Sequence, residues 1–187
     1  LYSCSPGEMD ALSSEEQARG ILAVCETVDF SLASLGDLLP DAMIYLDGIA
    51  DPGNLGTIMR TALWFGVDHI LLGPAAVDPF NSKVIRASAG AIFSVSLYRD
   101  VSTEKLLSFA DRKGYTLTAA AVRGGIHPEE LDKSKKQILI LGSEAQGISP
   151  ELAQQAKSTV TIPGADRAES LNLATAAAIL LYELHRP

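Results

Sequence analysis

Short apolar runs alternate with segments of helical periodicity from residue 43 onward. Continuously apolar runs of this length are typical of strands that are buried on both faces, and spacings of three and four residues between apolar positions predict helices. The predicted strands are 43–46, 69–72, 94–98, 115–122, 137–141 and 159–162, and the predicted helices are 55–65, 101–113, 149–156 and 170–185. This alternation predicts an α/β fold with a mostly parallel sheet and helices on both faces.

Residues 1–41 have a different composition from the rest of the chain. They are rich in Ser, Gly, Asp and Glu around one apolar segment, Gly20 to Cys25, and they end at Leu39-Pro40-Asp41. This composition predicts a linker with one edge element. The remaining residues, 42–187, are long enough to form one folded unit with a sizeable core.

The charge is distributed unevenly along the 187 residues. The net charge is −8, but residues 1–51 hold ten acidic residues and one basic residue, whereas residues 52–187 hold thirteen and fourteen. The acidity therefore belongs to the N-terminal stretch. A nearly neutral remainder does not by itself indicate nucleic-acid binding, so that function needs other evidence.

The same composition argues against several other classes of protein. No apolar run reaches the roughly 18 residues of a membrane span, and the first residues are acidic where a secretory signal would be basic. The two cysteines, Cys4 and Cys25, lack the paired Cys/His spacing of a zinc site. We therefore expect a cytoplasmic protein without a metal centre or a membrane segment.

Ligands of parallel sheets bind beyond the carboxyl ends of the strands, and three loops in such positions are unusual. In the first, Asn54 follows a Pro-Gly turn and is expected to cap the next helix. Arg60 lies less than two helical turns further on and is expected to flank the same loop mouth. The structural alternatives are a plain capped turn and a solvated helix arginine.

The second loop runs from Leu141 to Ser149. Gly142 and Gly147 have the spacing of a phosphate-binding loop, but Ile148 occupies the position of that motif's lysine, which argues against hydrolysis of nucleoside triphosphates. Glycines let the backbone approach a flat ligand closely. Glu144 between them is either a carboxylate held at a site or an exposed residue of a structural turn.

The third loop leads from the last predicted strand into the last predicted helix. Ser170 is expected to cap that helix. Asn172 is expected inside the first turn, among Ala, Leu and Ile, where asparagine is a poor helix former. A polar side chain in such surroundings usually has a partner.

Together, the three loops resemble the three sequence motifs of the SpoU family of RNA ribose methyltransferases, within the SPOUT superfamily. The resemblance covers about residues 42–187. The matching residues are Asp51-Pro52-Gly53-Asn54-Leu55-Gly56 through Arg60-Thr61-Ala62, Leu141-Gly142-Ser143-Glu144 with Gly147, and Ile162-Pro163 with Ser170-Leu171-Asn172-Leu173-Ala174.

The resemblance implies a deep trefoil knot near the C-terminus, although knots are rare exceptions among folds. It also implies a homodimer with the knotted regions near the interface. Residues 11–25 resemble the end of the RNA-binding domain that precedes the catalytic domain in many members. We therefore expect residues 1–41 to be a linker and a remnant of such a domain.

The resemblance further implies transfer of a methyl group from S-adenosylmethionine to a ribose 2′-hydroxyl of RNA, with ribosomal RNA favoured over transfer RNA and no metal required. Arg60 is expected to contact an RNA phosphate and orient the hydroxyl, because an arginine side chain stays protonated and is a poor free base. The proton acceptor stays open. The implied catalytic residues are Arg60, Asn54, Glu144, Ser170 and Asn172, and the implied cofactor-binding residues are Leu141, Gly142, Glu144, Gly147, Ile148, Ile162 and Leu171.

Two alternatives belong to other functional classes. A catalytically inactive RNA-binding relative would keep the fold but would be expected to lose Arg60, Asn54 or Asn172, and all three are present. A dinucleotide-binding enzyme is disfavoured because no G-x-G-x-x-G follows the first strand. Binding of S-adenosylmethionine, a nicotinamide dinucleotide or neither would discriminate among these hypotheses.

Overall fold

The computed structural model describes residues 1–13, 20–28, 30–36, 39–165 and 167–186. Strands and helices alternate from residue 42 onward, as the apolar pattern predicts. The strands are β1 (Ala42–Asp47), β2 (His69–Leu72), β3 (Ser96–Tyr98), β4 (Thr116–Ala120), β5 (Gln137–Gly142) and β6 (Ser158–Val160). The helices are α1 (Pro6–Leu12), α2 (Pro52–Trp64), α3 (Ser82–Ser88), α4 (Thr103–Lys113), α5 (Pro150–Gln155) and α6 (Leu173–His185).

The described strands form one sheet in the order β3-β2-β1-β5-β4-β6. All of its pairings are parallel. The predicted parallel α/β architecture is therefore confirmed. The order runs outward from the neighbouring central strands β1 and β5, so these two strands flank the topological switch point at which ligands of such sheets bind.

Alternate residues of the central strands face two separate cores. In β1, Ile44 and Leu46 belong to the core that includes residues of α2, α3 and α6, whereas Met43 and Tyr45 belong to the core that includes residues of α4 and α5. All four side chains are fully buried. A strand whose side chains are buried in both directions is continuously apolar, which explains why these runs could be recognised in the sequence.

The N-terminal stretch departs from one expectation. Residues 20–25 lie outside any strand and are exposed, so the predicted edge element is wrong for these described residues. Two helices were not predicted from the sequence: α1, whose residues are not buried, and α3, which packs on α2. Both helices are only seven residues long, too short to display a clear apolar stripe.

The segments that follow β4 and β6 pack closely against each other. Ile126 pairs with Val160, and the Gly125 amide donates to the Thr161 hydroxyl at 2.9 Å. A Cβ atom at Gly125 would lie 2.6 Å from the Thr159 carbonyl oxygen, so only glycine fits this crossing. The trefoil knot that the family resemblance implies in this half of the chain stays a prediction.

Candidate active site

The candidate site lies beyond the carboxyl ends of β1 and β5. The last residues of these strands, Asp47 and Gly142, are directly paired across the sheet. The loops that follow them contain the first two motifs, so the strand order places these motifs side by side although they are far apart in sequence. This location is the one expected of a ligand site in a parallel sheet.

The first loop is fixed by the cap of α2. The carboxylate of Asp51 accepts a hydrogen bond from the Asn54 backbone amide at 2.7 Å, and Pro52 occupies the first turn. The prediction that Asn54 caps this helix is therefore wrong, because Asp51 fills that role. Because it does not cap the helix, the Asn54 side chain can form a hydrogen bond with Glu144 of the second loop.

The second loop closes on itself through two backbone hydrogen bonds between Ser143 and Gly147, of 3.1 and 2.9 Å. Gly147 has a φ of 68°, in the left-handed region that favours glycine. Gly142 is needed for a different reason: a Cβ atom there would lie 2.0 Å from the Gly147 carbonyl carbon. The Ser149 amide also donates to the Asp47 carboxylate at 2.7 Å, which ties the loop to β1.

The third loop ends at Asn172, which is the cap of α6 rather than a residue of its first turn. Its Oδ1 accepts hydrogen bonds from the amides of Ala174 and Thr175 at 2.9 and 3.2 Å. The prediction that Ser170 caps the helix is therefore wrong, since Ser170 lies exposed before the helix begins. Two capping-type residues stand two positions apart, and the sequence pattern favoured the first.

Three side chains, one from each motif, form a directed hydrogen-bonded relay. The Asn172 Nδ2 donates to the Asn54 Oδ1 at 3.0 Å, and the Asn54 Nδ2 donates to the Glu144 Oε1 at 2.5 Å. Because the Asn172 Oδ1 faces the α6 amides, its Nδ2 must face Asn54, which in turn directs the Asn54 Nδ2 to Glu144. We call these three residues the amide relay.

A cavity of about 610 Å³ opens on one side of the second loop. We call it the apolar cavity, because aliphatic side chains such as Leu141, Val160 and Ile162 form its walls. The charged side chains that line it are Arg123, Glu144, Arg167 and Glu169. Apolar walls with a small number of polar groups are usual for cofactor sites.

A second cavity of about 980 Å³ is also lined by residues of the same loop. We call it the acidic cavity, because the charged residues that line it are Asp47, Asp51 and Glu144, and none of the described residues that line it is Lys, Arg or His. Asn54, Ile148 and Asn172 also line it. The two cavities therefore differ in the charge of the residues that line them.

Most of the predicted site residues meet around these cavities. The apolar cavity contains all the predicted cofactor-binding residues except Ile148, which lines the acidic cavity instead. The predicted residues that line the apolar cavity are Leu141, Gly142, Glu144, Gly147, Ile162, Ser170, Leu171 and Asn172.

Arg60 does not join the other predicted catalytic residues. It lies on α2 with an exposed side chain, and it lines neither cavity. That Arg60 flanks the mouth of the first loop stays a prediction. Its neighbours Ile58 and Met59 are buried, whereas the Arg60 side chain is exposed to solvent.

One wall of the apolar cavity was not predicted from the sequence. Residues Ala120 to Arg123, at the exit of β4, line it alongside the third loop. The Gly124-Gly125 pair that follows them was the available signal, because paired glycines after a parallel strand mark a sharp turn at the ligand edge of the sheet. Asp47 was missed for a simpler reason: it ends a strand and has no motif around it.

Neither a metal cluster nor a membrane-spanning helix was found in the described part of the chain. Within those residues, no group of three or more His, Cys, Asp or Glu side chains is arranged to hold a metal ion. No described helix is both long and apolar enough to cross a membrane.

A parallel α/β sheet with a ligand site at its switch point defines a broad class of nucleotide-binding proteins. Residues 41–182 match the model of the SpoU rRNA Methylase family. The chain therefore belongs to this family, as its three motifs indicated.

Individual relatives agree with this assignment. The chain is 33% identical over 186 residues to the Bacillus subtilis 23S rRNA (guanosine(2553)-2′-O)-methyltransferase RlmP, covering 98% of this chain and 71% of that protein. It resembles the crystal structure of an AdoMet-bound rRNA methyltransferase from Sinorhizobium meliloti with a TM-score of 0.81 and 35% identity, over 86% of this chain and 62% of that one. The AdoMet complex of AviRb from Streptomyces viridochromogenes gives a TM-score of 0.72 and 28% identity, over 78% and 59% of the two chains. The chain thus spans about six tenths of the length of these two solved relatives.

Proposed function

We propose that this chain is the catalytic part of an S-adenosylmethionine-dependent methyltransferase that methylates a ribose 2′-hydroxyl in RNA, with ribosomal RNA favoured over transfer RNA. The amide relay carries this proposal, since it joins one polar residue from each motif at the border of the two cavities. The relatives named for ribosomal RNA methylation support the substrate class. RNA rather than DNA follows from the chemistry, since only RNA has the 2′-hydroxyl.

The apolar cavity fits S-adenosylmethionine. Its volume of about 610 Å³ and aliphatic walls suit an adenosine group. Its two arginines and two glutamates offer both signs of charge to the carboxylate and ammonium groups of the amino-acid part. The backbone at Gly142, Ile162 and Leu171, which all line this cavity, would hold the adenosine.

When bound, the cofactor supplies a methyl group on a positively charged sulfur. The protein's contribution is to align the ribose hydroxyl with that methyl group and to remove the hydroxyl proton. The amide relay keeps the Glu144 carboxylate in one orientation, and Asn172 and Ser170 line the same cavity. We propose that Arg60, which is exposed on α2, contacts an RNA phosphate from outside the cavities.

We also propose a homodimer that acts in the cytoplasm, with residues 1–41 as linker and remnant of a preceding RNA-binding domain. Large apolar side chains on the helical face that carries α2 and α6 support the dimer: Trp64 is 83% exposed and Tyr182 is 51% exposed. A second copy would cover such side chains. Sedimentation at micromolar concentration should show a dimer, and a monomer would reject this part of the proposal.

The proposed activity is tested by incubating the protein with methyl-labelled S-adenosylmethionine and unmodified 23S ribosomal RNA or bulk transfer RNA. Digestion to nucleosides should yield a 2′-O-methylated nucleoside, in greater amount from the ribosomal RNA. Label on a base would contradict the proposed reaction. RNA binding without methyl transfer would favour the catalytically inactive relative.

A further inference from the structure

The apolar and acidic cavities meet at a small set of residues. Four residues line both cavities: Ser143, Glu144, Gly147 and Asn172. They belong to the second and third motif loops, and two of them belong to the amide relay. Any group that must touch ligands in both cavities has to be close to these four residues. We call them the junction.

Methyl transfer imposes such a requirement. The attacking oxygen must approach the methyl carbon from the side opposite the sulfur, with the reacting atoms about 3–3.5 Å apart. On the proposed function, on which this inference rests, the cofactor occupies the apolar cavity. The ribose hydroxyl must then reach the methyl group at the junction, and the rest of its nucleotide must extend away from the cofactor.

The acidic cavity offers space next to the four junction residues. Its charged residues, Asp47, Asp51 and Glu144, would repel a phosphate, and none of the described residues that line it is Lys, Arg or His. The carboxylates, side-chain amides and serine hydroxyls of this cavity can instead accept hydrogen bonds from the N–H and O–H groups of a base and a sugar. The phosphates would stay outside, where Arg60 is exposed.

Among the four junction residues, Glu144 is the one that has a negatively charged side chain and a hydrogen-bond acceptor that is not already in use. Gly147 has no side chain, and the Ser143 hydroxyl accepts from the Gln146 amide at 3.2 Å. The Asn172 Oδ1 is occupied by two amides of α6. Glu144 uses Oε1 to accept from Asn54, and the described residues provide no hydrogen bond to its Oε2.

We propose that the acidic cavity receives the base and sugar of the target nucleotide and that Glu144 is the proton acceptor of the reaction. The ribose 2′-oxygen forms a bond to the methyl carbon while the bond from that carbon to the sulfonium sulfur breaks, its electron pair remaining on sulfur. The hydroxyl proton passes to the free oxygen of Glu144. A carboxylate, a hydroxyl and a sulfonium thereby become a carboxylic acid, a methyl ether and a neutral thioether.

The amide relay has a defined part in this step. It acts as a positioning device, since Asn54 holds one oxygen of Glu144 and leaves the other without a hydrogen bond from the described residues. The charged groups around Glu144 are Asp47 at the end of β1 and Asp51 at the start of α2, with Arg123, Arg167 and Glu169 lining the apolar cavity.

The test compares Glu144→Gln with a matched control, Glu151→Gln, which removes the same charge from an exposed position on α5 that lines neither cavity. The glutamine amide introduced by Glu144→Gln can still accept from Asn54 but is a much weaker proton acceptor than a carboxylate. With 23S ribosomal RNA in single-turnover assays, we expect Glu144→Gln to lower the methylation rate by about 10²- to 10⁴-fold, the usual range for a general base. Calorimetry should show that the affinities for S-adenosylhomocysteine and for the RNA fall by no more than about tenfold, far less than the rate, because Glu144 is only one of several residues that line each cavity.

A pH profile separates proton removal from mere positioning. The remaining rate of Glu144→Gln should rise about tenfold per pH unit, because hydroxide must then take the proton, whereas the parent and Glu151→Gln should vary much less over the same interval. A methylation rate for Glu144→Gln near that of the parent would overturn the proposal, as would a lowered rate with an unchanged pH profile. Absence of methylation by the parent itself would instead refute the proposed function.

Discussion

The two cavities that the loop from Ser143 to Ser149 lines differ in charge although they share part of one backbone. The apolar cavity is completed by aliphatic side chains and by the chain segments that follow β4 and β6. The acidic cavity is completed by the end of β1 and the start of α2, with Asp47 and Asp51. One loop can therefore serve two ligands of different character, because the remaining wall of each cavity comes from a different part of the sheet.

The loop's own fold and the residues it presents can be separated experimentally. Its fold depends on glycines and backbone hydrogen bonds, whereas its proposed chemistry depends on Glu144 and the amide relay. Substitutions of the glycines should therefore disturb both cavities together. Substitutions of Glu144 or of the other relay residues should alter the reaction and leave the cofactor bound.

The largest effect is expected from Gly142→Val. The added Cβ would meet the Gly147 carbonyl carbon at 2.0 Å, so the loop must move away from β5 and both cavities must change shape. We expect binding of S-adenosylhomocysteine to fall below detection in calorimetry. Gly164→Ala is the matched control, since a Cβ there meets nothing within 4 Å although the residue lines the same cavity. Full cofactor affinity in Gly142→Val would show that the cofactor binds elsewhere.

Arg60→Ala should change the reaction without changing the loop. Because Arg60 lines neither cavity, cofactor affinity should stay nearly constant while the methylation rate falls by orders of magnitude. Arg60→Lys should recover only part of the rate, since a point charge does not reproduce a planar two-pronged contact. Single-turnover assays with protein in excess measure this.

Arg112→Ala is the control for that experiment. Arg112 is an exposed helix arginine whose Nε donates to the Ser108 carbonyl of its own helix, away from the described site residues. The Arg112→Ala variant should methylate normally. Equal rates for Arg60→Ala and Arg112→Ala would remove Arg60 from the mechanism.

Asn172→Asp separates the capping role of Asn172 from its role in the amide relay. Aspartate caps helices as well as asparagine does, so the free energy of unfolding should change by only about a few tenths of a kcal/mol. It has no N–H to donate to the Asn54 Oδ1, however, so the hydrogen bond that orients the Asn54 side chain toward Glu144 is lost. We expect roughly a tenfold to hundredfold loss of methylation rate with normal thermal stability.

Asn172→Ala provides the comparison for the cap. It should lose the relay and also about 1 kcal/mol of stability, since the amides of Ala174 and Thr175 would lose their acceptor. If Asn172→Asp kept the full methylation rate, the direction of the relay would have no part in the reaction.

The smallest effect on function is expected beneath the site, at Tyr45. Its hydroxyl donates to the Val101 carbonyl at 3.0 Å, so Tyr45→Phe should cost about 1 kcal/mol of stability and leave cofactor affinity unchanged. Burial, and to a lesser degree the charge of Asp47, raises the pKa of Tyr45 to about 12. The unfolded side chain ionises near pH 10, so the stability from the neutral phenol is complete below about pH 10 and is lost between about pH 10 and 12.

Urea unfolding at several alkaline pH values checks this expectation. Tyr45→Phe should lose less stability than the parent on going from about pH 10 to pH 12, although Tyr115, whose pKa burial also raises to about 12, keeps part of the dependence. An identical alkaline loss in the variant and the parent would contradict the assignment to Tyr45.

The fold could be predicted from the sequence because its strands are buried on both faces. Met43 to Leu46 and Ile138 to Leu141 are continuous apolar runs for that reason, and their positions were predicted to within a residue. The three motif loops followed from the strand ends. Short elements such as α3 were missed because seven residues give too little periodicity to recognise.

The capping residues and the amide relay could not be obtained in the same way. Asp51 and Asn54 are both good helix caps, as are Ser170 and Asn172, and only their partners in space decide which one acts. The relay joins residues that are 90 and 118 positions apart in the sequence. The motif resemblance placed these residues in one site, but the direction of the hydrogen bonds required the structure.

The most direct test of this account is a crystal structure of the protein with S-adenosylhomocysteine and a short ribose-containing oligonucleotide. We expect the cofactor product in the apolar cavity against Gly142, Ile162 and Leu171, and a nucleotide in the acidic cavity with its 2′-hydroxyl beside Glu144. Cofactor in the acidic cavity, or a 2′-hydroxyl distant from Glu144 while both ligands are bound, would contradict the division of the site between the two cavities.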